Sequence, residues 1–374
     1  MKSLLIGTHR VTRTDGQGRV CLEIARAAAA AGWNVTTLCD EADPLGGVEH
    51  VRIPAATAPT QLIKQSVYKR RLTRAIDARR KPGVTVLLNG DVAGGAASDL
   101  NVCHFVHSAF RKQVVPTTPH AAYRRLYAEM HAWGERAAYA NTRRVVAVSD
   151  VVRTELIEHA HVPAERIVTI PNGVDPIEFR PATVGEPRPL RDQLGVAADE
   201  LLAIFVGDLR SPRKGFGHVL HAVARVPGVR VAAVGGHEGG PFPAMAKRFD
   251  VADRVHFLGR RSDVPALMRQ ADVMPFPSGY EPFGLVVTEA LASGVPVICG
   301  PEVGAAAVMT RPPTLAAHDD VDGLATELQR LRDDPAALAS LRLEARSAAE
   351  SATWSSMADQ YMRLLDELDA SHVN

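Results

Sequence analysis

Short apolar runs alternate with longer stretches of helical period along almost the whole chain. Residues 3–7, 34–38, 84–89, 101–106 and 144–149 read as buried strands, and amphipathic segments such as 18–31 and 120–140 lie between them. A second series follows at 201–207, 229–235, 255–259, 273–277 and 295–299. Short strands separated by helices make parallel βαβ units, so two such series predict an α/β fold of two doubly wound domains. The turn chemistry of Pro171-Asn172-Gly173-Val174-Asp175-Pro176 and the proline-rich stretch up to Leu190 mark the boundary. This gives a first domain over 1–180 and a second over 181–355. The last helical pattern carries Met357, Tyr361, Leu365 and Leu368 on one side, so residues 356–374 are expected to close the second domain or to pack back on the first.

A chain of 374 residues can bury two full cores. Its 43 basic and 42 acidic residues exclude a globally basic nucleic-acid binder and an acidic tail protein. The cysteines (Cys21, Cys39, Cys103, Cys299) lack C-x-x-C spacing, so neither a zinc knuckle nor a disulfide framework is expected, and a reducing cytoplasm is the simplest compartment. The start, MKSLLIGTHR, reads as a first strand rather than a signal peptide. No stretch approaches the roughly 20 apolar residues of a membrane span. The balance hides one segment, however. Residues 60–81 hold eight Lys or Arg and one acid, a local +7, against 35 basic and 41 acidic residues elsewhere. Ile63, Val67, Leu72 and Ile76 mark an apolar helical face there. Lys69, Arg70, Arg71 and Arg74 fit either the solvated side of a packed helix or a surface for an anionic membrane or phosphorylated acceptor, which Arg111, Lys112, Arg124 and Arg125 would extend.

The segment richest in chemistry is SGYEPFGLVVTEALASG, residues 278–294. It follows a strand and enters a helix near Phe283. Glu281 falls in the loop and Glu289 about two turns into the helix, while Gly284 lets the backbone approach a ligand. The first helical amides favour a phosphate, and the carboxyl end of a strand is where doubly wound sheets bind ligands. By spacing alone, the two glutamates fit a ligand site and, equally, a surface Glu before a helix followed by a second Glu on its polar face. A second segment, GDLRSPRKG at 207–215, sets Arg210, Arg213 and Lys214 on a loop feeding a helix, a pattern suited to a diphosphate or to a solvated basic loop. Gly16 and Gly18 begin a helix near the N-terminus. With Asp40 they mimic a dinucleotide fingerprint, but they come too late after the strand, and Cys21 stands at the third glycine position. His104 and His107 lie in NVCHFVHSAF and fit structural histidines or a site. The D-x-D at Asp320 and Asp322 reads as helix-capping chemistry, and there is no H-E-x-x-H and no Cys/His cluster with ligand spacing.

Residues 278–298, with E-P-F-G, E-A-x-A-x-G and V-P-V-I, resemble the E-x7-E signature of retaining glycosyltransferases of the GT-B fold, family four. That family includes lipopolysaccharide core glucosyltransferases and phosphoinositide mannosyltransferases. VAVSD at 146–150 and PNGVD at 171–175 resemble further family blocks in the right order. The resemblance implies two Rossmann-like doubly wound domains facing a cleft, with the C-terminal helix crossing back. It implies Glu281 on hydroxyls of the donor sugar, Glu289 on the ribose, and the amides of Phe283, Gly284 and Leu285 on sugar and phosphate. Lys214 matches the family's diphosphate-clamping Lys. Asp208 stands where the family has Arg, so Arg210, or alternatively Arg213, is expected to supply that charge. Gly16 and Gly18 would lie under the diphosphate, Gly259 and Arg260 by the nucleobase, and His107, with Ser108 as a lesser contact, near the sugar 6-hydroxyl. The implied catalytic residues are His107, Glu281 and Lys214.

The expected activity is metal-independent, retaining transfer of a hexose from a nucleotide-diphosphate sugar, UDP favoured, to a hydroxyl acceptor such as a lipid-linked or lipopolysaccharide glycan. No cofactor and no nucleic acid are expected, and localisation is cytoplasmic with peripheral contact at the inner membrane face. A natural-product glycosyltransferase, a nucleotide-sugar epimerase and a non-catalytic nucleotide-sugar-binding protein are the alternatives.

Overall fold

The computed structural model of the chain describes residues 2–111, 119–312 and 314–370. The chain divides into two units, one of Met1–Asn172 with Trp354–Asn374 and the other of Gly173–Thr353. The first unit therefore ends ahead of the expected boundary at 180, and the PNGVD turn is split between the units. Lys112, in the expected basic surface, lies outside the described residues.

The first unit opens with β1 (Ser3–Gly7), β2 (Arg10–Val11), α1 (Gly16–Ala30), β3 (Asn34–Cys39), β4 (Glu41–Ala42) and β5 (Val48–Arg52). It continues through α2 (Gln61–Asp77), β6 (Val84–Asn89), β7 (Ser98–Cys103), α3 (His107–Phe110), α4 (Pro119–Ala140), β8 (Thr142–Ala147), α5 (Asp150–Glu158) and β9 (Ile167–Thr169). Seven strands form one sheet in the order β5-β3-β1-β6-β7-β8-β9, every pairing parallel, while β2 and β4 form a separate ribbon. Leu4, Leu5 and Ile6 are buried in succession because helices cover both faces of such a sheet. Asp15 caps α1 by accepting from the Gly18 amide at 2.7 Å, and Gly32, with positive φ, follows its end.

The strand expected at 101–106 lies earlier, at Ser98–Cys103, because Val106 already serves as the N-cap of α3. His107 is thus the first residue of a short helix, not the end of a strand. The apolar face of α2 also differs from the expected one. Tyr68, Leu72 and Ile76 enter the core with Leu5, Leu38 and Val86, whereas Ile63 is 47% exposed.

The second unit holds α6 (Pro189–Gln193), β10 (Leu201–Val206), α7 (Phe216–Arg225), β11 (Val229–Val234), α8 (Phe242–Arg248), β12 (Val255–Gly259), α9 (Val264–Met268), β13 (Met274–Pro275), α10 (Leu285–Ala292), β14 (Val297–Ile298), α11 (Val321–Asp333) and α12 (Pro335–Glu350). Strands β10, β11 and β12 pair in parallel, as do β13 and β14, and a parallel bridge between Ala203 and Val273 connects the two groups. Asp320 caps α11 by accepting from Gly323 N at 2.8 Å, and Asp322 pairs with Arg225, so both D-x-D carboxylates are engaged. The closing helix, α13 (Trp354–Ala370), packs on α1 of the first unit. Its Met357, Tyr361, Leu364, Leu365 and Leu368 are buried, and Trp354 receives the Arg19 guanidinium 5.4 Å from a ring centroid.

Gly215 fixes the loop before α7. Its φ is +76°, and an added Cβ would lie 1.8 Å from the Pro277 carbonyl oxygen. Gly215→Ala is expected to lower the unfolding free energy by about 3 kcal/mol, since strain and a backbone clash act together. A denaturant midpoint unchanged from wild type would contradict that packing.

Candidate functional site

In the second unit, main-chain and side-chain bonds stitch together two loops that are far apart in sequence. The Gly279 amide donates to the Arg213 carbonyl at 3.0 Å, and Ser278 Oγ donates to the same carbonyl at 3.3 Å. The Arg213 guanidinium donates to the Tyr280 carbonyl, and the Lys214 ammonium donates to Glu281 Oε2. Lys214 Nζ also lies 5.2 Å from the centroid of Phe276, so ring, carboxylate and ammonium form one cluster. Arg213 Nη1 stands 4.0 Å from Glu281 Oε2. The side chains of Lys214 and Glu281 are only 17% and 11% exposed, which places this ion pair among the buried kind.

The backbone of Glu281 is pinned on both sides, donating to the Glu302 carbonyl at 3.2 Å and accepting from Gly304 N at 2.9 Å. The Phe283 carbonyl accepts from Ala305 N at 2.7 Å. Gly284 has φ +96° and is the N-cap of α10, and a Cβ there would sit 2.9 Å from Glu281 Cγ. This glycine therefore lets the carboxylate lie against the start of α10. Leu285 opens the helix, whose first amides have no carbonyl partner within the helix and present positive charge. Glu289 is half-buried further along α10.

Arg210 is placed differently. Its guanidinium makes two bonds to Asp208, at 2.8 and 2.9 Å, and holds that carboxyl down at about 2. Arg210 and Arg260 both approach Gly236. The structure thus brings Arg213, not Arg210, beside Lys214. Gly259 ends β12 with φ +68°, and the space where a side chain would stand is open. Sequence reasoning missed Glu302 and His318. Glu302 Oε1 lies 3.2 Å from both the His318 amide and His318 Nδ1, and His318 packs on Gly279. No spacing signal links these two residues to the loop they support.

The first unit contains a second polar cluster, around a pocket of about 170 Å³ lined by residues including Gln17, Asp91, His104, His107, His131 and Glu135. Burial pushes the His107 imidazole down to about 4, with His131 and Lys69 acting in the same direction, so the ring is neutral at pH 7 and able to hydrogen-bond a hydroxyl. His104 is likewise pushed down to about 4 by burial, and its Nε2 has no partner among the described residues. His131 Nδ1 is 2.9 Å from Asp91 Oδ2, and Lys69 pairs with the same carboxylate. This corrects the placing of Lys69 on a docking surface. Its side chain is 13% exposed and its charge is neutralised by Asp91, whereas Arg70, Arg71 and Arg74 are exposed. Gly18 is buried at the start of α1, where a Cβ would crowd Thr12 N and Arg10 O at 3.1 and 3.2 Å; Gly16 is the first residue of that helix. Among the described residues, no group of three or more His, Cys, Asp or Glu is placed to hold a metal ion, and no helix is long and apolar enough to cross a membrane.

Residues 188–350 match the family model described as glycosyl transferases group 1, and residues 14–178 match that of glycosyltransferase family 4. Between them the two models take in most of the chain. The chain belongs to glycosyltransferase family four. Among curated members, the D-inositol 3-phosphate glycosyltransferase of Mycobacterium avium (strain 104) is 33% identical over 279 residues, 72% of this chain and 64% of that one. The protein of the same name from Mycobacterium tuberculosis (strain F11) is 35% identical over 246 residues, 61% of this chain and 50% of that one. The chain thus spans between half and two thirds of the length of these curated relatives. Among solved structures, WaaG, a glycosyltransferase involved in lipopolysaccharide biosynthesis, superposes with a TM-score of 0.78 at 20% identity over 97% of this chain and 99% of its own. Sucrose-phosphate synthase from Thermosynechococcus elongatus gives 0.79 at 23% identity over 99% and 100%. Anabaena Alr3699/HepE in complex with UDP and glucose gives 0.71 at 20% over 98% and 100%. The family-four fold of this chain is GT-B, with two Rossmann-like domains.

Proposed function

We propose that this chain is a retaining, metal-independent glycosyltransferase that moves a hexose from a UDP-sugar to a hydroxyl acceptor in the cytoplasm. The observation that carries the reading is the Lys214–Glu281 pair set against the N-terminus of α10. An ammonium, a carboxylate and free helical amides within one loop cluster suit a sugar diphosphate: cation and amides for the phosphates, carboxylate for sugar hydroxyls. Arg213 is the second cation favoured by geometry. Gly259 and Arg260 would take the base and Glu289 the ribose. The anomeric bond to the diphosphate breaks as the bond to the acceptor oxygen forms on the same face, and the acceptor proton passes to the leaving phosphate. Cations and amides stabilise that leaving group, which supports chemistry without a metal. The curated relatives' name points to a phosphorylated cyclitol as acceptor, and the solved lipopolysaccharide enzyme to a glycan. The exposed Arg70, Arg71 and Arg74 suit the anionic character of either, and suit an anionic membrane face.

The test is a panel of UDP-, GDP- and ADP-sugars read by nucleotide release, with D-inositol 3-phosphate and lipopolysaccharide core as acceptors, run with and without EDTA. Turnover with a UDP-sugar that survives EDTA and retains the donor's anomeric configuration is expected. No release from any donor, or loss on chelation that added metal restores, would overturn the reading. Sedimentation with anionic liposomes at low salt tests the membrane face. Within the site, Arg213→Ala is expected to weaken UDP binding about tenfold and Arg210→Ala about twofold. The reverse order, by calorimetry, would return the diphosphate charge to Arg210.

A further inference from the structure

We propose that Glu135 is a positioning residue, a clamp that reaches from α4 to the start of α3 and fixes where His107 points. The inference rests on the reading that His107 serves the donor sugar.

The N-cap of α3, Val106, has no side chain able to cap, so the first amides of this short helix need an acceptor from elsewhere. Glu135 supplies it. Its Oε1 accepts from His107 N at 2.6 Å, and its Oε2 accepts from Ser108 N at 3.0 Å and from Ser108 Oγ at 3.1 Å. One turn earlier on α4, His131 stacks on the His107 ring with centroids 4.5 Å apart and planes 25° from parallel. Residues four apart on a helix share a face. One face of α4 therefore grips His107 twice, by its amide and by its ring. His131 is itself held by Asp91, and Asp91 by Lys69.

The carboxylate is 1% exposed, and among the described residues no cation pairs with it. Burial pushes it up to about 7, against the three hydrogen bonds that pull it down, with Asp91 adding to the rise. The groups facing it are His107 and Ser108 on α3, Cys103 on β7, Tyr139 on its own helix, and Asp91 with its partners His131 and Lys69. Burial pushes Cys103 and Tyr139 far up, so both stay neutral. The sign follows. As pH falls through about 7 the carboxylate gains a proton, one amide loses its acceptor, and the hold on His107 slackens. For stability the sign is opposite. A raised carboxyl favours the folded state below its unfolded value, and that contribution is lost as pH rises through about 7.

Amide resonances and turnover test this together. In the wild type, the His107 and Ser108 amide protons should lie downfield and move in concert with a midpoint near pH 7. In Glu135→Gln they should shift upfield and stay still from pH 6 to 8. UDP release from a UDP-sugar should show kcat about tenfold to a hundredfold lower in Glu135→Gln, with KM within twofold, the acid limb flattened and the thermal midpoint at pH 8 no lower than wild type. Glu135→Asp, which keeps the charge, should recover part of the rate. Three results overturn the clamp: amides that do not titrate, a transition that persists in Glu135→Gln and so belongs to another group, or a rate that falls only as stability falls. If His107→Ala turns over at the wild-type rate, the role given to His107 fails, and the amide titration decides the clamp separately.

Discussion

Glu281→Ala is expected to abolish turnover, lowering kcat by about a thousandfold or more while the fold survives. The main chain of Glu281 is held by bonds to Glu302 and Gly304, its side chain lies against Gly284 and its carboxylate accepts from Lys214, so its position does not depend on a ligand. A preorganised acceptor of this kind contributes most where sugar hydroxyls must be fixed as the anomeric bond loosens. Removal also strands the Lys214 ammonium, at a cost of about 3 kcal/mol for breaking a buried pair. Glu281→Gln separates the two effects. It retains shape and one acceptor, so it should restore most of the stability and little of the rate. Chemical denaturation beside nucleotide release makes the comparison. A Glu281→Ala protein as active as wild type would remove this loop from the chemistry.

The sequence reveals most of the strands that are buried on both faces, because continuous apolar runs such as Leu4–Leu5–Ile6 admit few other readings. It does not reveal β5. The VEHVR segment is an edge strand, whose exposed Glu49 and His50 break any apolar run, and it is held by backbone pairing with β3. The 101–106 run misleads for a different reason. Apolar character continues through Phe105 and Val106 after the strand has ended, since these residues pack as a loop and a helix cap.

The site divides in the same way. Glu281, Gly284 and Lys214 stand out as local patterns, but their meeting does not, because it depends on bonds between two loops that only the folded backbone brings together. Arg210 is closer to the expected clamp position in sequence, yet Asp208, two residues before it, captures it first. Glu135 carries a subtler signal. On the buried face of α4, among Ala128, His131, Ala132 and Tyr139, a glutamate must find hydrogen bonds or neutralise. The basic α2 shows the reverse limit: summed charge cannot tell Lys69, buried against Asp91, from Arg70 beside it in open solvent.

Lys214→Ala should cost about a hundredfold in kcat/KM, with the loss carried by the phosphates of the donor. The ammonium rests on Glu281 and over Phe276, a pairing that compensates both charges. A diphosphate offers the ammonium more negative charge than one carboxylate, so donor binding draws the ammonium to the phosphates and frees Glu281 for sugar hydroxyls. The variant loses the first interaction directly and the second through a carboxylate left buried without its partner. Calorimetry should find UDP bound at least tenfold more weakly, uridine unchanged, and the salt dependence of UDP binding reduced. Lys214→Arg should not restore the wild-type rate, because a planar guanidinium cannot replace a compact ammonium between the carboxylate and the Phe276 ring, and Arg213 already occupies the neighbouring Tyr280 carbonyl. Equal losses for UDP and uridine would place Lys214 outside the phosphate site and leave the α10 amides as the principal anion-binding element.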